Sequence, residues 1–168
     1  SLQINPSISS EFENFQDTIL LVDENQKDVS SSAGHSLMDN HPFSAERYMI
    51  ANKNISSLKI ILENGDLFGF CDLVEKEALM LHSLMMSSSP SYVLIKPQTL
   101  EIMNEIKAFR NKNKVPVCFT LDAGANVHVL YPEKDSKSVT DFINVKLSKY
   151  CFQGKFIMDH IGKGPEKI

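Results

Sequence analysis

The clearest structural signal in the chain is the segment Val117-Cys118-Phe119-Thr120-Leu121-Asp122-Ala123-Gly124-Ala125-Asn126-Val127-His128-Val129-Leu130. Two runs rich in β-branched and aromatic residues flank a short turn, which is typical of a β-hairpin. Gly124 is expected to supply the positive φ that a tight reversal needs. Asp122 then leaves the end of a strand on rigid backbone. Its carboxylate could bond the backbone of its own turn, which is the commoner case, or serve as a positioned acid or base.

Outward from the hairpin, hydrophobic spacing predicts four helices and two more strands. The helices are expected over residues 43–64, from residue 66 to Ser87-Ser88-Ser89-Pro90, over residues 97–112, and from residue 135 or 136 to Gly154. The strands are expected within residues 17–23 and 156–158. With the extra helical insertion set aside, the order is βαββαβ. This predicts an α+β domain with a ferredoxin-like (split βαβ) antiparallel sheet and extra helices.

Composition and charge narrow the class of protein. The 168 residues are enough for one domain with a real core, and residues 1–16, which are polar and without period, are expected to form a linker or arm before a domain at 17–168. A net charge of −4 and the lack of a long apolar run predict a protein that binds neither nucleic acid nor membrane. The three cysteines lie in apolar segments, as expected for reduced core residues of a cytoplasmic protein.

Few residues in the chain point to a particular chemistry. The five histidines show no ligand spacing, so no metal site is expected, and there is no nucleophile elbow or nucleotide phosphate loop. The segment Ser30-Ser31-Ser32-Ala33-Gly34 is either an anion-binding loop or a solvated linker. His82 falls on the predicted second helix, where a single histidine is more often structural than catalytic. The residues alone therefore indicate one well-held carboxylate, one serine-rich loop and one helical histidine.

The hairpin also resembles a family signature. Phe119-Thr120-Leu121-Asp122-Ala123-Gly124-Ala125-Asn126 is similar to the F-[TM]-x-D-A-G-[PA]-N motif of the diphosphomevalonate decarboxylase family, in the GHMP kinase superfamily. Three more segments resemble that family in the same order, and the resemblance runs from about Asp17 onward. These segments are Val29-Ser30-Ser31-Ser32-Ala33-Gly34-His35, Leu81-His82-Ser83 through Ser89-Pro90, and Phe156-Ile157-Met158-Asp159 through Pro165.

The resemblance implies that the chain is the C-terminal half of such an enzyme, with the fold of the GHMP kinase C-terminal domain. The family uses ATP to convert diphosphomevalonate to isopentenyl diphosphate, ADP, phosphate and CO2, in the mevalonate pathway of isoprenoid biosynthesis. ATP and Mg²⁺ are expected to bind mainly through the N-terminal half, which carries the phosphate loop. The chain alone is then expected to be inactive. Apolar surface left where that half docks could drive formation of a homodimer.

The resemblance also implies roles for individual residues. Asp122 matches the family's aspartate at the substrate 3-hydroxyl, where it either takes the proton or orients the hydroxyl and stabilises a developing cationic carbon. Ala123, Gly124 and Asn126 match the turn that fixes this aspartate beside the substrate. Ala125 stands where the signature often has proline, a change that loosens the turn slightly without removing a chemical group.

The resemblance also implies roles for two positions outside the hairpin, Ser31 and His82. Ser31 matches a serine that in some members touches the substrate diphosphate, although Ser32 replaces the arginine that follows it in some bacterial members. His82 matches the family's helical histidine and is expected to line or support the pocket. The alternatives are a GHMP-type small-molecule kinase that does not decarboxylate, and a ferredoxin-like ligand-binding module without catalysis.

Overall fold

The computed structural model describes residues 8–24 and 41–162. These residues form four strands and four α-helices: β1 (Phe15–Leu20), α1 (Ser44–Asn64), α2 (Leu67–Ser87), α3 (Pro97–Asn113), β2 (Cys118–Leu121), β3 (Val127–Pro132), α4 (Ser136–Phe142) and β4 (Phe156–His160). A short 3₁₀ helix, Ser10–Phe12, precedes β1. The element order predicted from the sequence is confirmed.

The strands make one antiparallel sheet in the order β2-β3-β1-β4. Across its centre, Thr120, His128, Ile19 and Ile157 stand opposite one another on successive strands. The crossover from β1 to β2 leaves room between them for β3, which returns by the predicted hairpin. This is the split βαβ arrangement, so the predicted ferredoxin-like fold is confirmed.

One side of the sheet carries the hydrophobic core. Alternate residues of β3 (Val127, Val129 and Tyr131) are fully buried, together with Ile102 and Ile106 of α3. A buried hydrogen bond of 2.8 Å joins the hydroxyls of Thr18 and Tyr131 within this layer. The alternation of the hairpin therefore sets which side of the sheet faces α3 and α4.

The α1–α2 hairpin, the insertion in the ferredoxin-like order, packs against the other side of β2. Phe119 faces α3, where the Lys107 ammonium lies 5.5 Å from its ring centre, and Cys118 faces Cys71 of α2. The hydrogen bond with Cys71, together with burial, raises the pKa of the Cys118 thiol. All three cysteines are buried and free of disulfides, as predicted.

Charged side chains connect the helices. Glu75 of α2 accepts from Arg110 of α3 at 2.5 and 3.0 Å, and Arg110 also donates to the carbonyl oxygen of Val117 at 2.8 Å. On the other side of α2, Glu77 accepts from Arg47 of α1 at 2.6 Å and from Asn54 at 2.5 Å. The buried Glu75 carboxylate and the partly exposed Glu77 carboxylate are thus each satisfied from a neighbouring helix, and the burial of Glu75 makes its pairing necessary.

The predicted helix ends are confirmed where a local signal marks them. Gly65 has φ of 70° and closes α1 with a bond from its N–H to the carbonyl oxygen of Ile61. Asp66 caps α2 by accepting the N–H of Gly69 at 2.9 Å. Pro97 occupies the first turn of α3, where its missing N–H has no intrahelical partner to lose.

Some boundaries differ from the sequence-based expectation; β4, for example, extends to His160, two residues beyond the predicted 158. Strand β1 begins at Phe15, two residues before the predicted 17, because Phe15 packs with Phe12 and Phe70 at ring-centre distances of 5.2–5.3 Å. The last helix is regular only to Phe142 and continues as a wider π turn and 3₁₀ turns up to residue 154, which keeps Ile143 and Leu147 buried. The predicted division into 1–16 and 17–168 stays a prediction.

In the described part of the chain, none of the helices has the length and apolar character needed to span a membrane.

Candidate functional site

The candidate site is the turn between β2 and β3, residues 122–126, called here the Asp122 turn. Asp122 follows Leu121, the last residue of β2, and is half-buried. The N–H of Gly124 donates to the carbonyl oxygen of Asp122 at 2.8 Å, so the chain reverses within three residues. The turn thus starts at Asp122 itself, on a strand that pairs with β3.

Gly124 corrects one expectation. Its φ lies outside the left-handed region, so the predicted positive φ is wrong; Gly65 and Gly154 are the described glycines that adopt one. A Cβ at Gly124 would instead lie 3.4 Å from Oδ1 of Asp122. This distance is at the edge of ordinary van der Waals contact, so the space around Gly124 does not by itself require glycine.

His82 holds the start of the turn. It is buried on α2, and its Nε2 lies 3.0 Å from the carbonyl oxygen of Asp122. A carbonyl oxygen only accepts, so Nε2 carries the hydrogen of this bond. Burial lowers the pKa of His82, although the bond to Asp122 and the Asp122 charge act in the opposite direction. A neutral ring bonded to main chain fits the predicted supporting role better than proton transfer.

The far end of the turn is held from two other elements. Thr99, in the first turn of α3, donates its hydroxyl to the carbonyl oxygen of Ala125 at 2.7 Å. Oδ1 of Asn126 accepts the N–H of Asp23, just after β1, at 3.0 Å. The Asp122 turn is therefore fixed by α2, α3 and the end of β1 together.

The structure brings together five of the six residues singled out from the sequence. Asp122, Ala123, Gly124 and Asn126 share one turn, and His82 contacts it. Ser31 lies outside the described residues. Their assignment to catalysis and to substrate binding stays a prediction.

Sequence reasoning missed Thr99 and Asp23. Thr99 is three residues after Lys96, the N-cap of α3, and its hydroxyl also accepts the Lys96 N–H at 3.2 Å. A threonine at this place in a predicted helix is a recognisable capping residue. Nothing local indicates its second bond, since Ala125 is 26 residues away.

The other described histidines lie apart from this turn. His128 points to the sheet side opposite Val127 and Val129, and its Nδ1 lies 2.9 Å from Oδ2 of Asp17. His41 bonds to Ser87 at 3.0 Å. Within residues 8–24 and 41–162, no group of three or more His, Cys, Asp or Glu side chains is placed to hold a metal ion.

Comparison with known proteins adds sequence relatives. A curated relative, the phosphomevalonate decarboxylase of Haloferax volcanii, is 29% identical over 105 residues, which is 62% of this chain and 32% of the relative. The aligned region therefore spans about a third of the length of that protein.

Solved structures share the fold. The mevalonate pyrophosphate decarboxylase of Streptococcus pyogenes superposes with a TM-score of 0.80 at 21% identity, covering 95% of this chain and 49% of that one. A second structure, of MDDEF in complex with MVAPP, AMPPCP and magnesium, has a TM-score of 0.74 at 22% identity. At these identities the likeness establishes the fold and leaves the chemistry to be argued from the site.

The sequence model of one family matches nearly the whole chain, residues 18–167. That match includes the Asp122 turn and every element that holds it. The chain belongs to the family of the mevalonate 5-diphosphate decarboxylase C-terminal domain.

Proposed function

We propose that this chain is the C-terminal part of an ATP-dependent diphosphomevalonate decarboxylase, with Asp122 as its catalytic carboxylate. The observation that carries the proposal is a half-buried aspartate on a turn fixed by three separate elements. A carboxylate held in this way loses little freedom when substrate binds, which favours a positioned acid or base over a simple turn-former.

In the proposed reaction, ATP supplies a phosphoryl group to the tertiary 3-hydroxyl of the substrate. The bond from the substrate carbon to the 3-phosphate oxygen then breaks, and the carboxyl group leaves as CO2. The electron pair of the broken carbon–carbon bond forms the double bond of the product. Asp122 acts at the substrate hydroxyl: it accepts the proton during phosphorylation, or it orients the hydroxyl and then stabilises positive charge on the carbon.

ATP and Mg²⁺ are assigned mainly to the part of the enzyme outside this chain. The likeness to the magnesium and AMPPCP complex supports their use in the whole enzyme. The described residues do not form a magnesium site by themselves, and the proposed site for the ion lies in that other part of the enzyme. Asp122 and its turn supply one side of the substrate site, and Ser31 is proposed to contact the diphosphate of the substrate.

A second candidate differs only in the substrate. The Haloferax volcanii relative is named a phosphomevalonate decarboxylase, so the same site could act on a substrate with one phosphate fewer. A third candidate, a kinase without decarboxylation, transfers the phosphoryl group and releases no CO2. All three are separated by one assay.

The assay uses the protein encoded by this chain together with its upstream coding sequence. It is supplied with ATP and either diphosphomevalonate or phosphomevalonate, and ADP and CO2 are measured. Equal amounts of ADP and CO2 with diphosphomevalonate are expected. ADP without CO2 would contradict decarboxylation, and preference for phosphomevalonate would select the second candidate.

The residue assignment is tested by Asp122→Asn, which keeps the shape of the side chain and removes its charge. We expect kcat to fall by about 10² to 10⁴, the usual contribution of a positioned acid or base. Asp141→Asn, at an exposed carboxylate on α4, is the matched control and should leave kcat unchanged. Equal activity of the two variants would rule out Asp122 as the catalytic carboxylate.

A further inference from the structure

The first turn of α3 contacts the Asp122 turn by two routes. Thr99 donates directly to the carbonyl oxygen of Ala125 at 2.7 Å. The Lys96 ammonium pairs with the carboxylate of Asp23. The main-chain N–H of Asp23 in turn donates to Oδ1 of Asn126. Both routes end on the last two residues of the turn.

The Thr99 hydroxyl has both of its bonding functions in use. It accepts the N–H of Lys96 at 3.2 Å and donates to Ala125, and the Thr99 side chain is 0% exposed. Ala125 is buried as well, so water does not readily replace this bond. The carbonyl oxygen of Ala125 thus receives its hydrogen bond from a hydroxyl on a helix that is 26 residues away in sequence.

The turn needs such a restraint at this position. Alanine leaves φ much freer than proline would, so Ala125 does little by itself to fix the backbone. His82 fixes the turn at Asp122, and Asn126 fixes its end through a side chain. The Thr99 bond restrains the main chain between these two points.

We propose that Thr99 is a positioning residue for the Asp122 carboxylate. This inference rests on the proposed function of Asp122. Thr99 acts through the backbone of the turn and has no contact with the reacting atoms. Loss of its hydroxyl shifts the turn and displaces the carboxylate from the substrate 3-hydroxyl, which lowers the rate of the chemical step and leaves binding of ATP nearly unchanged.

The test compares three variants of the full-length enzyme: Thr99→Val, Thr99→Ser and Thr18→Val. Valine keeps the shape of threonine and removes the hydroxyl, and serine keeps the hydroxyl. Thr18 provides the matched control because it is equally buried and its hydroxyl bonds to Tyr131 at 2.8 Å, in the core layer. The values of kcat and KM are measured at a temperature at which all three variants are folded.

We expect Thr99→Val to lower kcat about tenfold or more, with KM for ATP within about twofold, since small misplacements of a reacting group cost up to about 10²-fold in rate. Thr99→Ser should recover most of kcat, and Thr18→Val should change it by less than about twofold. If Thr99→Val loses no more activity than Thr18→Val, or if serine fails to restore kcat, the proposal is wrong.

An alanine pair and a parallel assay of Asp122→Asn complete the test. If Thr99→Val does not fold, Thr99→Ala and Thr18→Ala take the place of the valine pair, with the same expected difference. Asp122→Asn is assayed in parallel. Full activity of Asp122→Asn overturns the proposed function itself, whereas an inactive Asp122→Asn with a fully active Thr99→Val overturns only the positioning role.

Discussion

The described bonds from His82 and Thr99 to the Asp122 turn go to its main chain. His82 donates to the carbonyl oxygen of Asp122, and Thr99 donates to that of Ala125. The ordering of the turn is therefore completed during folding, before any substrate binds. Because both bonds act on the main chain, the fold itself helps to set where the Asp122 side chain leaves the turn.

His82 should make stability depend on pH. Burial lowers its pKa below the unfolded value of about 6.5, so between the two values the unfolded state binds more protons than the folded state. The stabilisation is therefore complete above pH 6.5 and is lost as pH falls through the folded pKa. We expect the free energy of unfolding to decrease between pH 7.5 and 5.5, by at most about 1.4 kcal/mol per pH unit from this residue.

Urea denaturation of His82→Gln at both pH values checks this. Glutamine can still donate to the Asp122 carbonyl but does not titrate, so the variant should lose part of the pH dependence. His160→Gln, at an exposed position, is the control and should keep it. An identical pH dependence in His82→Gln and the wild type would show that His82 is not the group responsible.

The sequence identified the functional side chains of the Asp122 turn better than it identified their contacts. Asp122, Asn126 and His82 were recognisable from the signature and helix spacing, and the structure places them together. Thr99 was not, because its bond to Ala125 depends on how α3 meets the hairpin. The predicted positive φ at Gly124 is wrong for a related reason, because glycine permits a positive φ without requiring one.

Helices α2 and α3 are joined by a buried ion pair between Glu75 and Arg110. Glu75 and Arg110 are both nearly inaccessible, and their carboxylate and guanidinium face each other with two bonds. The hydrogen bond to Glu75 raises the pKa of Arg110, so the guanidinium stays charged. Arg110 also bonds the main chain just before β2, which connects this pair to the hairpin strand.

Removal of Arg110 should be costly. Arg110→Met leaves the Glu75 carboxylate buried without its partner, and we expect the free energy of unfolding to fall by about 3–5 kcal/mol. Glu75→Leu combined with Arg110→Met should recover much of the loss, since a well-packed apolar pair is often as stable. Urea titration of both variants measures the difference.

The control for this prediction is Lys134→Met. Lys134 pairs with Glu11 at the surface, where an ion pair contributes about 0–1 kcal/mol. Similar losses in Arg110→Met and Lys134→Met would contradict the importance of burial.

The elements themselves were predictable to the extent that their signals are local. Gly65 and Asp66 mark a helix end and a helix start by their own chemistry, and both were found from the sequence. The start of β1 was missed because Phe15 is recruited by Phe12 and Phe70, which is a tertiary contact. The break after Phe142 likewise has no signal in the hydrophobic spacing, which continues through it.

For the whole molecule, the uncovered part of the sheet is the main feature. The core layer covers one side and α2 covers β2 on the other, which leaves Ile157 of β4 50% exposed. An apolar cavity of about 420 Å³ is lined by other residues of β1, β3 and β4. Cavity residues include Phe12, Phe15 and Leu130. Met49 and Ile55 of α1 are also exposed. Apolar surface of this kind commonly marks an interaction site.

The chain produced alone should therefore self-associate and should not decarboxylate. Sedimentation velocity is expected to show a dimer fraction that grows with concentration, and the assay above should give no CO2. Ile157→Lys, on the uncovered sheet, should reduce association, whereas Val145→Lys, 74% exposed on the π turn, should not. A monomer at all concentrations, or turnover by the chain alone, would contradict these expectations.

The attachment of the Asp122 turn to α2, α3 and β1 limits how this site can be redesigned or recognised. A peptide of residues 117–130 grafted onto another scaffold would carry the aspartate without the hydroxyl, imidazole and amide that fix its backbone. Searches for the same chemistry in distant sequences should accordingly require a threonine early in one helix and a histidine within another, in addition to the short acidic motif. Moving the carboxylate by a fraction of an ångström, to suit a different substrate, calls for changes in the helices and leaves the motif untouched.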